Sequence, residues 1–261
     1  HIDDPKKRDW LYQRALTYQS QALSPDRKRF IMEKLNAAEG MEQFLNVQYV
    51  GQKRFSLEGC EALIVGLEGM LQAAAGHQVK EVTLGMAHRG RLSVMINVNG
   101  MSAAELVDMF SGKVDFGNKS GDVKYHLGYS SRRQINGNQV KIQLAFNPSH
   151  LEAVSAVIMG AARSRQDKEP GAKASVLPVS IHGDAAVMGQ GVVAETINKS
   201  QVKAHHVGGM VRWIVNNQIG FTASSEQTRS SRYCSDVFKG FGCPVMHVNA
   251  DNPEAVWFCA Q

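Results

Sequence analysis

Short apolar runs alternate with helical patterns along most of this chain, and that alternation narrows its possible architecture more than any other feature. Runs at 81–84, 140–146, 176–181, 211–215 and 244–248 have the length and the β-branched content of buried strands. Between them, apolar residues recur at helical spacing. Strands separated by crossover helices pair in parallel, so the expected class is α/β with a doubly wound, mostly parallel sheet.

The helices carry their own signals. Ser102-Ala103-Ala104-Glu105 is a capping box ahead of Leu106, Val107 and Phe110. Helices are also expected over 57–75, over 149–163 with Leu151, Val154, Val157 and Ile158 on one side, and over 191–200. The first fifty residues contain helices and no strand. Asp4-Pro5 opens one through Trp10, Leu11 and Ala15, Ser24-Pro25 opens another with Phe30, Ile31 and Leu35, and 41–49 forms a separate turnlike segment. Gly51-Gln52-Lys53-Arg54 breaks the pattern, dividing a helical lead-in at 1–52 from an α/β domain at 53–261. The stretches 112–121 and 164–173, rich in Gly, Lys, Asp and Ser, read as linkers.

Composition excludes several classes. With 43% hydrophobic and 20% charged residues the chain is neither disordered, collagen-like nor a coiled coil. A net charge of +5 suits an anionic ligand, but no block of like charges forms a nucleic-acid arm. Cys60, Cys234, Cys243 and Cys259 show no C-x-x-C spacing, which excludes a zinc ribbon or thioredoxin motif and fits a reducing compartment. The most apolar stretch, 62–76, carries Glu68 and falls short of the roughly 20 residues that span a bilayer. The first residue is His1 rather than Met, and Asn252-Pro253-Glu254 starts a helix that is still running at Gln261, so a fragment of a longer chain, truncated at the C-terminus, is expected.

In an open parallel sheet, ligands bind beyond the carboxyl ends of the strands. Four such ends here are polar: Gly85-Met86-Ala87-His88-Arg89-Gly90-Arg91, Asn147-Pro148-Ser149-His150, His182-Gly183-Asp184 and Asn216-Asn217-Gln218. Asp184 and Asn217 lie 33 positions apart, the length of one loop, one helix and one strand. Neighbouring strand ends would bring a carboxylate, an amide oxygen and a backbone carbonyl within reach of one hard cation such as magnesium, with ligand phosphates completing its shell. The alternative makes Asp184 a helix N-cap and Asn217 a turn former. Gly189-Gln190-Gly191 opens a helix whose free N–H groups could receive a diphosphate. The same stretch fits G-x-G-x-x-A, but 184–188 intervene after the strand and the next strand ends in Asn216-Asn217 rather than an acid, which disfavours a dinucleotide site. Nine histidines include His88, His126, His150 and His182, three of them at strand ends. Imidazoles gathered in one cleft suit carboxylate recognition and proton handling, while zinc has no supporting spacing.

Gly183-Asp184-Ala185 through Asn216-Asn217 resembles the thiamin-diphosphate signature of 2-oxo acid dehydrogenases and transketolases, with Ala185 where glycine is usual. Lys53-Arg54-Phe55-Ser56-Leu57-Glu58-Gly59, Gly85-Met86-Ala87-His88-Arg89-Gly90-Arg91-Leu92, the segment from Gly121 to Gly128, Phe146-Asn147-Pro148-Ser149-His150-Leu151-Glu152 and His182-Gly183-Asp184-Ala185-Ala186-Val187 are similar to the E1 component of 2-oxoglutarate dehydrogenase. The resemblance implies thiamin diphosphate and Mg2+ as cofactors. Asp184, Asn217 and the Ile219 carbonyl would hold the metal. Arg89, Ser149 and Leu151 would line the cofactor cleft, and His88, His126 and Ser130 would meet the substrate carboxylates and the reacting centre. Gln190 and Gly191 would lie near the diphosphate, a placement inferred from the helix start. The implied activity is decarboxylation of 2-oxoglutarate with transfer of the succinyl group to a lipoyl group of the dihydrolipoyl succinyltransferase, with dihydrolipoyl dehydrogenase a further partner through the complex. The implied assembly is a homodimer, in bacterial cytoplasm or the mitochondrial matrix, with neither nucleic acid nor membrane as partner. The resemblance also implies an activating glutamate from a second α/β domain later in the chain, so these residues alone are expected to lack full activity. A 2-oxoadipate dehydrogenase E1, a non-catalytic module for a phosphorylated metabolite and an NAD-dependent oxidoreductase remain as alternatives.

Overall fold

A computed structural model describes residues 1–19, 21–112, 124–168 and 171–261. Its centre is a five-stranded sheet in the order β2-β3-β1-β4-β5, built from β1 (Glu81–Met86), β2 (Tyr129–Ile135), β3 (Asn138–Leu144), β4 (Val176–Gly183) and β5 (Val211–Val215). β3, β1, β4 and β5 run parallel, and β2 pairs antiparallel with β3 at one edge. The expected mostly parallel α/β sheet is present.

The lead-in holds α1 (Pro5–Gln19) and α2 (Pro25–Gln48). Ser24 caps α2 by accepting from the Arg27 N–H. The separate segment expected at 41–49 is instead the last turns of α2, because Ile31, Ala38, Glu42 and Leu45 continue one buried stripe through Gly40. α3 (Ala62–Gly76) begins five residues later than its apolar pattern, after a turn in which the Cys60 N–H bonds the Leu57 carbonyl. α4 (Arg91–Asn97) and α5 (Ala103–Phe110) follow β1, with the capping box at Ser102 and Glu105 formed as read. The proposed linker at 112–121 falls almost wholly outside the described residues, as do 121–123 of the motif block at 121–128.

Strand β2 was not foreseen. Its sequence is polar, and the legible signal was the Asn136-Gly137 turn, whose positive φ at both residues makes the two-residue hairpin to β3. α6 (Ala153–Gln166) starts at 153 rather than 149; Ser149 sits in a bend and caps nothing, and Val157 faces out, 58% exposed. α7 (Asp184–Gly189) and α8 (Gly191–Lys199) follow β4 directly. Beyond β5 come β6 (Ile219–Gly220), β7 (Ala223–Ser224), α9 (Ser225–Thr228), α10 (Asp236–Lys239) and α11 (Pro253–Ala260). The strand expected at 244–248 has no ladder partner among the described residues. Pro244 lacks the N–H a ladder needs, while Val245 packs on the small core under α7 and α8.

α6 covers one face of β1 and β4; α3 packs on the second face against β2 and β3, and α11 packs on α3. Contact on the second face is close enough that a Cβ on Gly66 would lie 2.6 Å from the Trp213 ring. No helix among the described residues is long and apolar enough to cross a membrane. The connection after β1 leads to β3 on one side, and that after β4 leads to β5 on the other. The crevice at the carboxyl ends of β1 and β4 is therefore the switch point of the sheet.

Candidate active site

One end of this crevice is built from imidazoles. His88 leaves β1, and His126 ends a 3-10 turn at Lys124–His126; their ring centroids are 4.9 Å apart. The Phe55 ring lies 5.0 Å from His88 and 4.9 Å from Tyr125, closing the cluster. Phe55 holds φ 49°, a conformation that costs a non-glycine residue free energy unless its surroundings enforce it. Here the Gly90 N–H donates to the Phe55 carbonyl at 2.9 Å, and Arg89 Nη1 donates to the Ser56 carbonyl at 3.1 Å. Gly90 is itself at φ +73°, with Leu57 Cδ1 2.6 Å from where a Cβ would stand, so no larger residue fits. Lys53 Nζ sits 4.8 Å from the Phe55 ring centre, leaving a cation at the rim.

Arg91 anchors this end from below. Fully buried, it donates to the carbonyls of Leu127 (2.8 Å), Ala145 (2.9 Å) and Met86 (2.6 Å), tying the ends of β1 and β3 to the segment behind His126. Burial pushes its guanidinium down to about 9. Asn147, buried at the end of β3, donates through Nδ2 toward His88 Nδ1 at 2.9 Å. The His88 imidazole is pushed down to about 4 by burial and then by the positive charges of His126, Arg91 and Lys53. At neutral pH His88 is uncharged, so it meets an anion as a hydrogen-bond donor rather than as a cation.

The other end is built from oxygens. Asp184 is the first residue of α7 and 1% exposed; the N-cap position belongs to Gly183, so the capping alternative does not hold. Its Oδ2 accepts from Arg229 Nη1 at 3.3 Å, while Oδ1 is buried without a hydrogen-bond partner among the described residues. β4 and β5 place Gly183 beside Val215, so Asp184 and the 216–220 segment leave the sheet together. Asn217 is half-buried, and its Oδ1 accepts from the Ile219 N–H at 3.1 Å across Gln218, which holds φ 60°. Ile219 is 59% exposed. This segment lies close on α7, since a Cβ on Gly220 would stand 3.1 Å from the Ala185 Cβ.

Of the remaining expected residues, Arg89, Ser149 and Gly191 are exposed at the crevice rim, and Leu151 and Gln190 are partly buried. Gln190 takes the N-cap position of α8 without a side-chain cap, and Gly191 is its first residue. Helix α7 stands between β4 and these glycines, which is not the strand-turn-helix geometry of a dinucleotide site. Ser130 is exposed on edge strand β2, outside the ring cluster. Two strand-end histidines do not join the site. His150 is exposed, and His182 is buried in the sheet, with Nδ1 on Glu152, Nε2 2.6 Å from Ser180 Oγ, and Arg212 at 3.4 Å. Sequence reasoning missed Asn147, Arg91, Phe55 and Arg229 as site builders. Asn147 and Arg91 lie within polar segments at strand ends, Phe55 and Arg229 lie outside them, and none of the four carries a spacing signal.

The dehydrogenase E1 component family profile matches residues 33–260. This chain belongs to that family. The 2-oxoglutarate dehydrogenase E1 component of Azotobacter vinelandii is 46% identical over 266 residues, covering all of this chain and 28% of the relative. The protein of the same name in Cupriavidus necator is 46% identical over 265 residues, again covering all of this chain and 28% of its own length. The 2-oxoglutarate dehydrogenase E1/E2 component of Corynebacterium glutamicum is 46% identical, with 22% of its length matched. The chain thus spans little more than a quarter of the first two relatives.

Proposed function

We propose that this family member carries the diphosphate- and magnesium-binding half of a thiamin-diphosphate-dependent 2-oxoglutarate dehydrogenase E1. The observation that carries the reading is Asp184: a carboxylate 1% exposed, at the switch point of the sheet, with one oxygen lacking a hydrogen-bond partner among the described residues. A buried unpaired carboxylate oxygen is costly, and a bound cation is its natural complement. Asp184, Asn217 and the Ile219 carbonyl form an all-oxygen set that fits Mg2+, with Gln190 and Gly191 at the start of α8 toward a diphosphate and Arg89, Ser149 and Leu151 along the cleft. Bound there, thiamin diphosphate would supply the electron sink for decarboxylation of a 2-oxo acid.

The chain's own groups do the rest. Neutral His88 donates a hydrogen bond to a substrate carboxylate or to the oxygen that gains charge, and His126 adds a donor beside it. Phe55 and Tyr125 pack on His88 and exclude water from that side. Lys53 and Arg89 at the rim favour a dianionic substrate over a monoanionic one. The succinyl group then passes to the lipoyl group of a dihydrolipoyl succinyltransferase that works with dihydrolipoyl dehydrogenase.

Calorimetry tests this. Thiamin diphosphate should bind only with Mg2+, ATP and NAD should not bind, and Asp184→Ala should weaken the magnesium-dependent binding at least a hundredfold. Equal affinity for ATP, or binding indifferent to Mg2+, would sink the reading. In a decarboxylation assay the substrate should be 2-oxoglutarate in preference to 2-oxoadipate.

A further inference from the structure

We infer that Asn147 is a positioning residue that holds His88 in one neutral tautomer, with the proton on Nε2 and Nδ1 as an acceptor. The inference deepens the proposed reading, because His88 is the imidazole that reading turns toward substrate. It begins from the orientation of one amide group. Asn147 Nδ2 lies 2.9 Å from His88 Nδ1 and 3.2 Å from the Pro148 carbonyl oxygen. A carbonyl only accepts, so the amide end facing Pro148 must be nitrogen; the flipped amide would set two oxygens against each other. One N–H of that nitrogen goes to Pro148, and the other meets the imidazole. His88 Nδ1 must therefore be the lone-pair nitrogen, and a neutral ring then carries its proton on Nε2.

The Pro148 contact sets the sense of the Asn147 amide, whose Oδ1 is buried without a partner among the described residues. Asn147 is 5% exposed, and its backbone N–H donates to the His126 carbonyl at 3.2 Å, so one residue binds the main chain behind one imidazole and the side chain of the other. Beneath it, Arg91 holds the Ala145 carbonyl two residues earlier. The groups facing His88 are the His126 and Tyr125 rings, the Phe55 ring and the charges of Arg91 and Lys53; none of them offers a carboxylate that would draw a proton onto Nδ1. A doubly protonated ring would point an N–H at the Asn147 N–H, so the same contact opposes the charged form. Across the ring, Nε2–H is left as a preoriented donor.

The tautomer is read directly from ring-nitrogen chemical shifts in protein labelled with isotopic histidine, with His88 assigned by the signal lost in His88→Gln. The expected result in the unsubstituted protein is a neutral ring protonated on Nε2 near neutral pH, with no substrate or cofactor added. In Asn147→Asp the carboxylate accepts where the amide donated, so the proton moves to Nδ1 and the ring titrates at higher pH. In Asn147→Ala the preference collapses toward a mixture, and affinity for a 2-oxo dicarboxylate falls about tenfold. A His88 signal protonated on Nδ1 in the unsubstituted protein overturns the inference whether or not either variant folds, and so does an Asn147→Asp signal identical to the original. Because the shifts are read without substrate, failure of the substrate reading would leave the tautomer result standing, and the reverse also holds.

Discussion

His88 and Asp184 leave neighbouring strands of one sheet, yet their surroundings follow opposite plans. Around His88 the described chain supplies most of the partners, although Asn147 Oδ1 and Arg91 Nε are buried without one among the described residues. Arg91 ties three carbonyls, Asn147 orients the ring, and Phe55 is held in a strained turn by bonds from Gly90. Around Asp184 the structure stops short of completion. One carboxylate oxygen has no partner among the described residues, Asn217 is half-buried, Ile219 is exposed, and Gln218 and Phe221 both hold φ near 60°. The first end is preorganised: its donors are aimed before any ligand arrives, and the folding free energy carries that cost. The second end keeps an unmet electrostatic demand that a ligand would relieve. A site made this way is rigid where a neutral group must discriminate and open where a charged group must enter.

The sharpest way to break that contrast is to remove the central charge of each end and measure unfolding by denaturant without ligands. Arg91→Met should cost about 3–5 kcal/mol, because three buried carbonyls lose a charged donor together. Asp184→Asn should cost less, about 1–3 kcal/mol, since it takes the counter-charge from buried Arg229 but keeps the side chain's shape and removes the charge on an oxygen that has no partner among the described residues. If both proteins melt alike, the two ends do not differ as described.

A smaller effect comes from His88. Its pKa in the folded chain, about 4, lies below the ordinary value of 6.5. The unfolded chain therefore binds a proton that the folded chain refuses. Stability should be full above about 6.5 and should fall as pH drops toward about 4, by about 3 kcal/mol from this group. His88→Gln should remove that part of the acid slope while leaving the rest. A slope unchanged in His88→Gln would mean that the imidazole end is not held in its neutral form by folding.

The sequence made the oxygen end more legible than the imidazole end, although the structure builds the latter more completely. Asp184 and Asn217 stand out because a parallel sheet predicts where strands end, and polar residues at two adjacent ends are visible in a linear chain. Asn147 and Arg91 do their work through contacts with backbone carbonyls and one ring nitrogen, and no residue spacing encodes such contacts. Phe55 reads as an ordinary apolar residue until its left-handed φ is known. The fold was legible where period and capping agree, as at Ser24 and Ser102. It was misread where a polar edge strand hid at 129–135, and where Pro244 interrupted an apolar run that looked like a strand.

The smallest change that should separate the two ends is Gly220→Ala. In place, the new Cβ would lie 2.5 Å from Thr228 Cγ2 and 3.1 Å from the Ala185 Cβ. Neither distance can persist, so the segment carrying Asn217 and Ile219 must move off α7 by some tenths of an ångström. Ala185 is the position where the resembling signature carries glycine, and its methyl uses the room that Gly220 leaves. Overpacking of this size costs about 1–2 kcal/mol of stability. Its larger consequence is geometric, because magnesium demands close to ideal oxygen positions and a displaced Asn217 no longer supplies one. Magnesium-dependent binding of thiamin diphosphate should fall about tenfold, while the His88 ring-nitrogen shifts stay where they were. Adding Ala185→Gly to Gly220→Ala relieves the contact with α7 and should restore part of that affinity. Binding left intact while stability falls would mean that the 217–220 segment is not part of the metal site.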